Sequence, residues 1–149
     1  MTNNKNPVYT MLYDGRCRFC TRQADTVASF DTSGSIELLD ANSADARLRF
    51  PHIAPIDTQR ELHLVAPDGT VHRGAEAVRE TLLRLPEVRA LGELMRLPGA
   101  IALAQPVYSW VARNRYLFGG TMTIASMVLA ARDLAVKRQM LGVTVVRCL

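Results

Sequence analysis

"PVYTMLYDGRCRFCTRQADTVASF", residues 7 to 30, changes its periodicity half-way along. Residues 7–13 form a short apolar run rich in strand formers, closed by Asp14-Gly15, a pair that favours a turn. From Cys17 to Phe30 the spacing lengthens to three and four. Phe19, Cys20, Ala24, Val27, Ala28 and Phe30 describe one face of an amphipathic helix, which "DTSGS" ends. The stretch therefore predicts a buried strand turning directly into a helix, with Cys17 and Cys20 at the junction. Such a pair is a redox couple, half of a metal site, or two small apolar residues three apart.

The rest of the chain supplies the context. "SIELLDA" (35–41) reads as a second strand and "SADARLRF" (43–50) as a short helix stopped by Pro51. Residues 51–59 hold Pro51 and Pro55 with little periodicity, and read as loop. "ELHLVAPDGTVHRG" (61–74) is a hairpin: Leu62, Leu64 and Ala66 alternate with Glu61, His63 and Val65 before Pro67-Asp68-Gly69 turns the chain. "AEAVRETLLRL" (75–85) follows as a helix with Ala77, Val78, Leu82 and Leu85 on one side.

From Val88 the chain reads as helical. Pro98-Gly99 breaks it, Pro106 is expected to kink or restart it, and a last helix is expected over 121–141. The apolar front of that last segment, Thr121 to Ala131, falls well short of the roughly 20 residues a membrane span needs.

Strand, helix, strand, helix, hairpin, helix implies a right-handed parallel crossover plus two antiparallel strands. The expected fold class is α/β: a thioredoxin-like four-stranded mixed sheet with flanking helices and a helical C-terminal extension. Residues 1–87 would form the core and 88–149 the extension, packed on the core or on a partner, in one domain overall.

Composition narrows the function. The chain carries net charge +4 with a pI near 9.3, mostly from arginines scattered between Arg16 and Arg147. A nucleic-acid surface would need them clustered, so none is expected. "MTNNKNPVYT" has no basic segment followed by an apolar one, which points to a cytoplasmic protein whose thiols are kept reduced. Three cysteines cannot make a fully paired disulfide framework.

A CxxC opening a helix has a physical advantage for redox work. The first sulfur lies among unsatisfied N–H groups at the positive end of the helix dipole, which favours thiolate. The second, a turn further in, is expected to be less exposed and to close the disulfide. Arg16, Arg18 and Arg22 bracket the pair and, with Phe19, are the candidates for substrate contact or for tuning the thiols. Asp14 is a candidate N-cap or proton acceptor.

"YDGRCRFC" resembles the Asp-Gly-x-Cys-x-x-Cys signature of the DCC family of predicted thiol-disulfide oxidoreductases. "LHLVAPDGTVHRGAEA" and "YSWVARNRYLFG" (108–119), which includes Trp110, Asn114 and Arg115, extend the resemblance over residues 8–119. It implies Asp14, Cys17 and Cys20 as the site, with Cys17 the nucleophile and Cys20 the resolving thiol. Two departures stand out. Thioredoxin-like enzymes usually carry a proline immediately before the strand facing the CxxC, whereas here Pro55 lies six residues ahead of Glu61; the tail after Gly119 is also extra. Trp110 and Phe118 are expected to pack in the core.

The expected activity is thiol-disulfide exchange in the reducing direction. Its substrate would be a disulfide-bearing protein or a small disulfide, with no bound cofactor and an external reductant to recycle the pair. One alternative is a non-catalytic binding or redox-switch module, docking a partner or membrane protein through residues 97–141. Another is a zinc site drawing on Cys148, His52, His63 or His72, the last two near each other on the hairpin. Cys148, next to last in the chain, is expected to be a free thiol without a role.

Overall fold

The computed structural model describes residues 8–115. The expected last helix at 121–141, Phe118 and Cys148 lie outside the described residues.

Strand β1 (Tyr9–Tyr13) turns through Asp14–Arg16 into α1 (Arg18–Phe30). The chain crosses to β2 (Ile36–Asp40), which runs parallel to β1 with Tyr9 opposite Ile36 and Tyr13 opposite Asp40. Helices α2 (Ala44–Arg49) and α3 (Pro55–Arg60) come next. The hairpin of β3 (His63–Val65) and β4 (Val71–Arg73) follows, with His63 opposite Arg73. β3 pairs antiparallel to β1, setting His63 against Leu12, and the sheet order is β2-β1-β3-β4. The mixed sheet with flanking helices is the thioredoxin-like arrangement expected from the order of elements.

Both faces of the sheet are covered. Met11, Ile36 and Leu64 pack with Val27 of α1 and with Ala77 and Leu82 of α4 (Gly74–Arg84). Leu12 and Val65 pack on the other face with Ala46 of α2 and with Ile53. Fully burying a leucine such as Leu12 or Leu64 is worth about 1.5–3 kcal/mol, so the two central strands hold the helices in place.

Two-sided cover corrects the alternation expected of the hairpin: His63 and Val65 are as buried as Leu64. The expected loop at 51–59 is also corrected, because Pro55 opens α3 from its first turn, where a missing N–H costs nothing.

After a 3-10 turn at Pro86–Val88 come α5 (Arg89–Leu94) and α6 (Ala100–Asn114), both packed against α4. The break at Pro98-Gly99 is where it was expected, with Gly99 at φ +81° leading into α6. Pro106 does not divide α6, which continues through it. Trp110 is not in the core: it is 54% exposed, in line with Leu103 and Val107 on one side of the helix.

Gly74 lets α6 approach. Its φ is +55°, and a Cβ there would stand 3.0 Å from the amide of Gln105, whose Oε1 accepts the N–H of Ala75 at 3.0 Å. None of the helices among the described residues is long and apolar enough to cross a membrane.

Candidate active site

Cys17 is the N-cap of α1. Its backbone is extended, and its Sγ accepts the N–H of Cys20 at 3.4 Å, one of the orphan amides of the first turn. The two thiols also share a side-chain hydrogen bond. The junction is rigid by construction. The carbonyl of Asp14 accepts the Cys17 N–H at 3.1 Å, and Asp14 Oδ1 accepts the Arg16 N–H at 3.1 Å.

The Asp14 carboxylate is buried and takes a second bond, 3.0 Å, from Asn42 Nδ2. The same Asn42 nitrogen reaches Asp40 Oδ1 at 3.0 Å, and that oxygen also accepts the Gly15 N–H at 3.1 Å. Burial pushes the Asp40 carboxyl up, but bonds from Asn42 and Gly15 outweigh it and hold it below the usual range. Asn42 and Asp40, at the end of β2, thus tie the second turn to the cysteine turn. Sequence reasoning missed both, for they sit some 25 residues from the cysteines and only the parallel crossover brings them back.

Cys17 is 4% exposed and Cys20 is partly exposed, so the expectation that the second cysteine is the more covered is reversed. A capping residue turns its side chain back over the helix end, which encloses it. The Cys20 thiol is pushed up to about 12 by burial first, then by its hydrogen bond with Cys17 and by the charge of Cys17. Arg115 opposes the shift, with Nη1 at 3.8 Å from Cys20 Sγ, and Asp14 adds a little to it.

Arg16, Arg18 and Arg22 are exposed and, with Gly15 and Thr21, line a shallow cleft of about 220 Å³ beside the helix start. Phe19 is half-buried. The guanidinium on the thiol comes from the far end of the described chain, just after α6.

Leu62, immediately before β3, stands where a proline was missed in the sequence. Its N–H donates to the hydroxyl of Tyr108 at 2.6 Å. Burial raises the Tyr108 phenol to about 12, so the hydroxyl keeps its proton. Tyr108 at Leu62 and Arg115 at Cys20 together place α6 over the site. Tyr108 and Arg115 belong to the segment at 108–119, and their seven-residue spacing, two helical turns, was the available signal.

The histidines do not gather at the cysteines. Cross-strand register sets His63 opposite Arg73 and His72 opposite Leu64, so the two imidazoles leave opposite faces of the hairpin. Among the described residues no group of three or more His, Cys, Asp or Glu is placed to hold a metal ion.

A sequence model of the DCC1-like thiol-disulfide oxidoreductases matches residues 11–121. The chain belongs to this DCC1-like family. No curated protein and no solved structure matches it. Membership makes a thiol-disulfide oxidoreductase of the chain, and the matched segment of the DCC1-like protein contains the cysteine turn together with Asp40, Asn42, Leu62, Tyr108 and Arg115.

Proposed function

We propose that the protein reduces disulfides with Cys17 as nucleophile and Cys20 as resolving thiol. The Cys17 thiolate attacks one sulfur of a substrate disulfide, forming a mixed disulfide and releasing the first substrate thiolate. Cys20 loses its proton and attacks Cys17 Sγ, releasing the second thiolate and leaving a Cys17–Cys20 disulfide. Two electrons pass to the substrate, and an external dithiol reductant in a reducing cytoplasm returns the pair to its starting state.

The observation that carries this reading is the bond from the Cys20 N–H to Cys17 Sγ at the start of α1. An amide aimed at a sulfur stabilises charge on it, and a resolving thiol waits one turn away. Exposure alone would favour Cys20 as the attacker. Burial and the neighbouring Cys17 push the Cys20 thiol up to about 12, however, which disfavours it as the attacking thiolate despite its access. Asp14, buried and bonded to Asn42, acts on Cys20 as a nearby anion and is the group available to accept its proton. Arg16, Arg18 and Arg22 suit an acidic or carboxylate-bearing substrate in the cleft they line.

The expected outcome is that Cys17→Ser abolishes exchange while Cys20→Ser accumulates a mixed disulfide, read by mass spectrometry after incubation with glutathione disulfide. Unchanged turnover in Cys17→Ser rejects the assignment. One observation favours the alternative of a docking module: the exposed line of Leu103, Val107 and Trp110 on α6. That reading takes over if Cys17 and Cys20 never oxidise in glutathione buffer.

A further inference from the structure

We infer that Arg115 is a catalytic residue of the resolving step, held against Cys20 by α6 and the Tyr108–Leu62 bond, and that it stabilises the Cys20 thiolate once Cys17 is engaged. The inference rests on the assignment of Cys17 as nucleophile and Cys20 as resolver.

Three observations bear it. Arg115 is 9% exposed, and its Nη1 lies 3.8 Å from Cys20 Sγ, within reach of a charge-assisted contact to sulfur. Its position is fixed two turns earlier, where the Tyr108 hydroxyl accepts the Leu62 N–H at 2.6 Å at the entry to the central strand β3. One turn before that, Gln105 holds the first turn of α4 through the Ala75 N–H. A helix anchored at two points delivers the guanidinium to one place. A guanidinium held beside a sulfur favours the thiolate over the thiol at that sulfur.

The groups around Cys20 give the step an order. Burial, the hydrogen bond with Cys17, the charge of Cys17 and, more weakly, Asp14 favour the protonated form; Arg115 opposes them. Before Cys17 is engaged, these groups hold the proton on Cys20, which cannot compete for substrate. When Cys17 enters the mixed disulfide, its charge and its hydrogen bond to Cys20 are both gone. Burial and Asp14 then remain against Arg115, and the balance moves toward thiolate. Cys20 transfers its proton to Asp14 or to water and attacks Cys17 Sγ. The Cys17–substrate S–S bond breaks, the Cys17–Cys20 bond forms, and the substrate leaves as thiolate. The anion that Arg115 stabilises is the attacking Cys20 thiolate, so its effect is on the supply of that nucleophile.

The test uses the full chain in a Cys148→Ser background with dithiobis(nitrobenzoate), which releases one coloured thiolate when Cys17 attacks and a second when Cys20 resolves. Stopped-flow separates the two. Arg115→Gln and Arg115→Ala should leave the first release in place and shift the alkaline rise of the second by about one pH unit upward. At pH 7 the second release should slow by about threefold to tenfold, since a more basic sulfur has fewer thiolates but each is more nucleophilic. Arg115→Lys should restore most of the shift, and Arg113→Ala, an exposed neighbour bonded to the Ser109 carbonyl, should not move it. Coincident second-release profiles for wild type and Arg115→Gln overturn the inference while leaving the two-cysteine reading intact. Absence of the first release in the wild type overturns the two-cysteine reading itself.

Discussion

Gly15 shows how a signature residue is enforced by its surroundings. A Cβ at this position would stand 2.6 Å from Asp40 Cγ, inside the carboxylate that accepts the Gly15 N–H. Something must shift: either the turn lifts from β2 or Asp40 gives up its bonds. Gly15→Ala should therefore destabilise the protein by about 2 kcal/mol, read as a lower urea midpoint at unchanged m. An unchanged midpoint would mean that Asp40 moves freely. In the sequence, Gly15 announced a turn and a place in the Asp-Gly-x-Cys-x-x-Cys signature, with no reason for glycine itself. The need for glycine comes from Asp40, across the crossover, and no local pattern carries that information. Cys17 and Cys20 were legible because a CxxC at a change of periodicity is a local fact. Arg115 was quoted in a matching segment, but its meeting with Cys20 spans 95 positions and depends on how α6 lies.

At the scale of elements, four strands and the helices α1, α2 and α4 followed from periodicity, because each covers a sheet that is buried on that side. α3 was missed: six residues make under two turns, too few for a pattern, and its real signal was Pro55 at the first helical position. The alternation of β3 misled for the opposite reason, since Ala46 of α2 and Ile53 cover the face that alternation assigned to water. α6, part of the expected extension, packs on α4 and brings Tyr108 to Leu62 and, just past its end, Arg115 to Cys20. Tyr108→Phe removes the acceptor of the part-buried Leu62 N–H and should cost about 1–2 kcal/mol. Amide exchange at Leu62 should quicken well beyond that of Leu64, whose N–H lies within the sheet. Equal protection in wild type and variant would show that α6 does not hold the head of β3.

For the molecule as a whole, acid should unfold it in two stages. Burial first, then the nearby Arg73 charge, lowers His63 below its ordinary 6.5, against the pull of the Glu61 carbonyl. A depressed pKa in the fold means stability that is complete above about 6.5 and is lost as pH falls through the folded value. Asp31 is held low because bonds from Ser33, Ser35 and Ile36 outweigh its burial, and Glu37 chiefly because Arg49 grips it. Their contribution is present above the ordinary carboxylate range and disappears as pH drops through their folded values. The urea midpoint should decline gently from pH 7 to 5 and steeply below 4, where lost carboxylates also raise the net positive charge above +4. His63→Gln should remove the first decline only. A midpoint constant from pH 7 to 3 would contradict both assignments.

The proton that burial locks onto Cys20 has an electrochemical consequence. With the thiol pushed up to about 12, the disulfide closure proposed for Cys17 and Cys20 expels at least one proton around neutral pH. The midpoint potential of the couple must then fall by at least about 30 mV for each unit of pH, the slope of one proton carried with two electrons. Alkalinisation thus makes the pair a stronger reductant. On the proposed assignment, pH and thiol poise both act on this protein through the same sulfur.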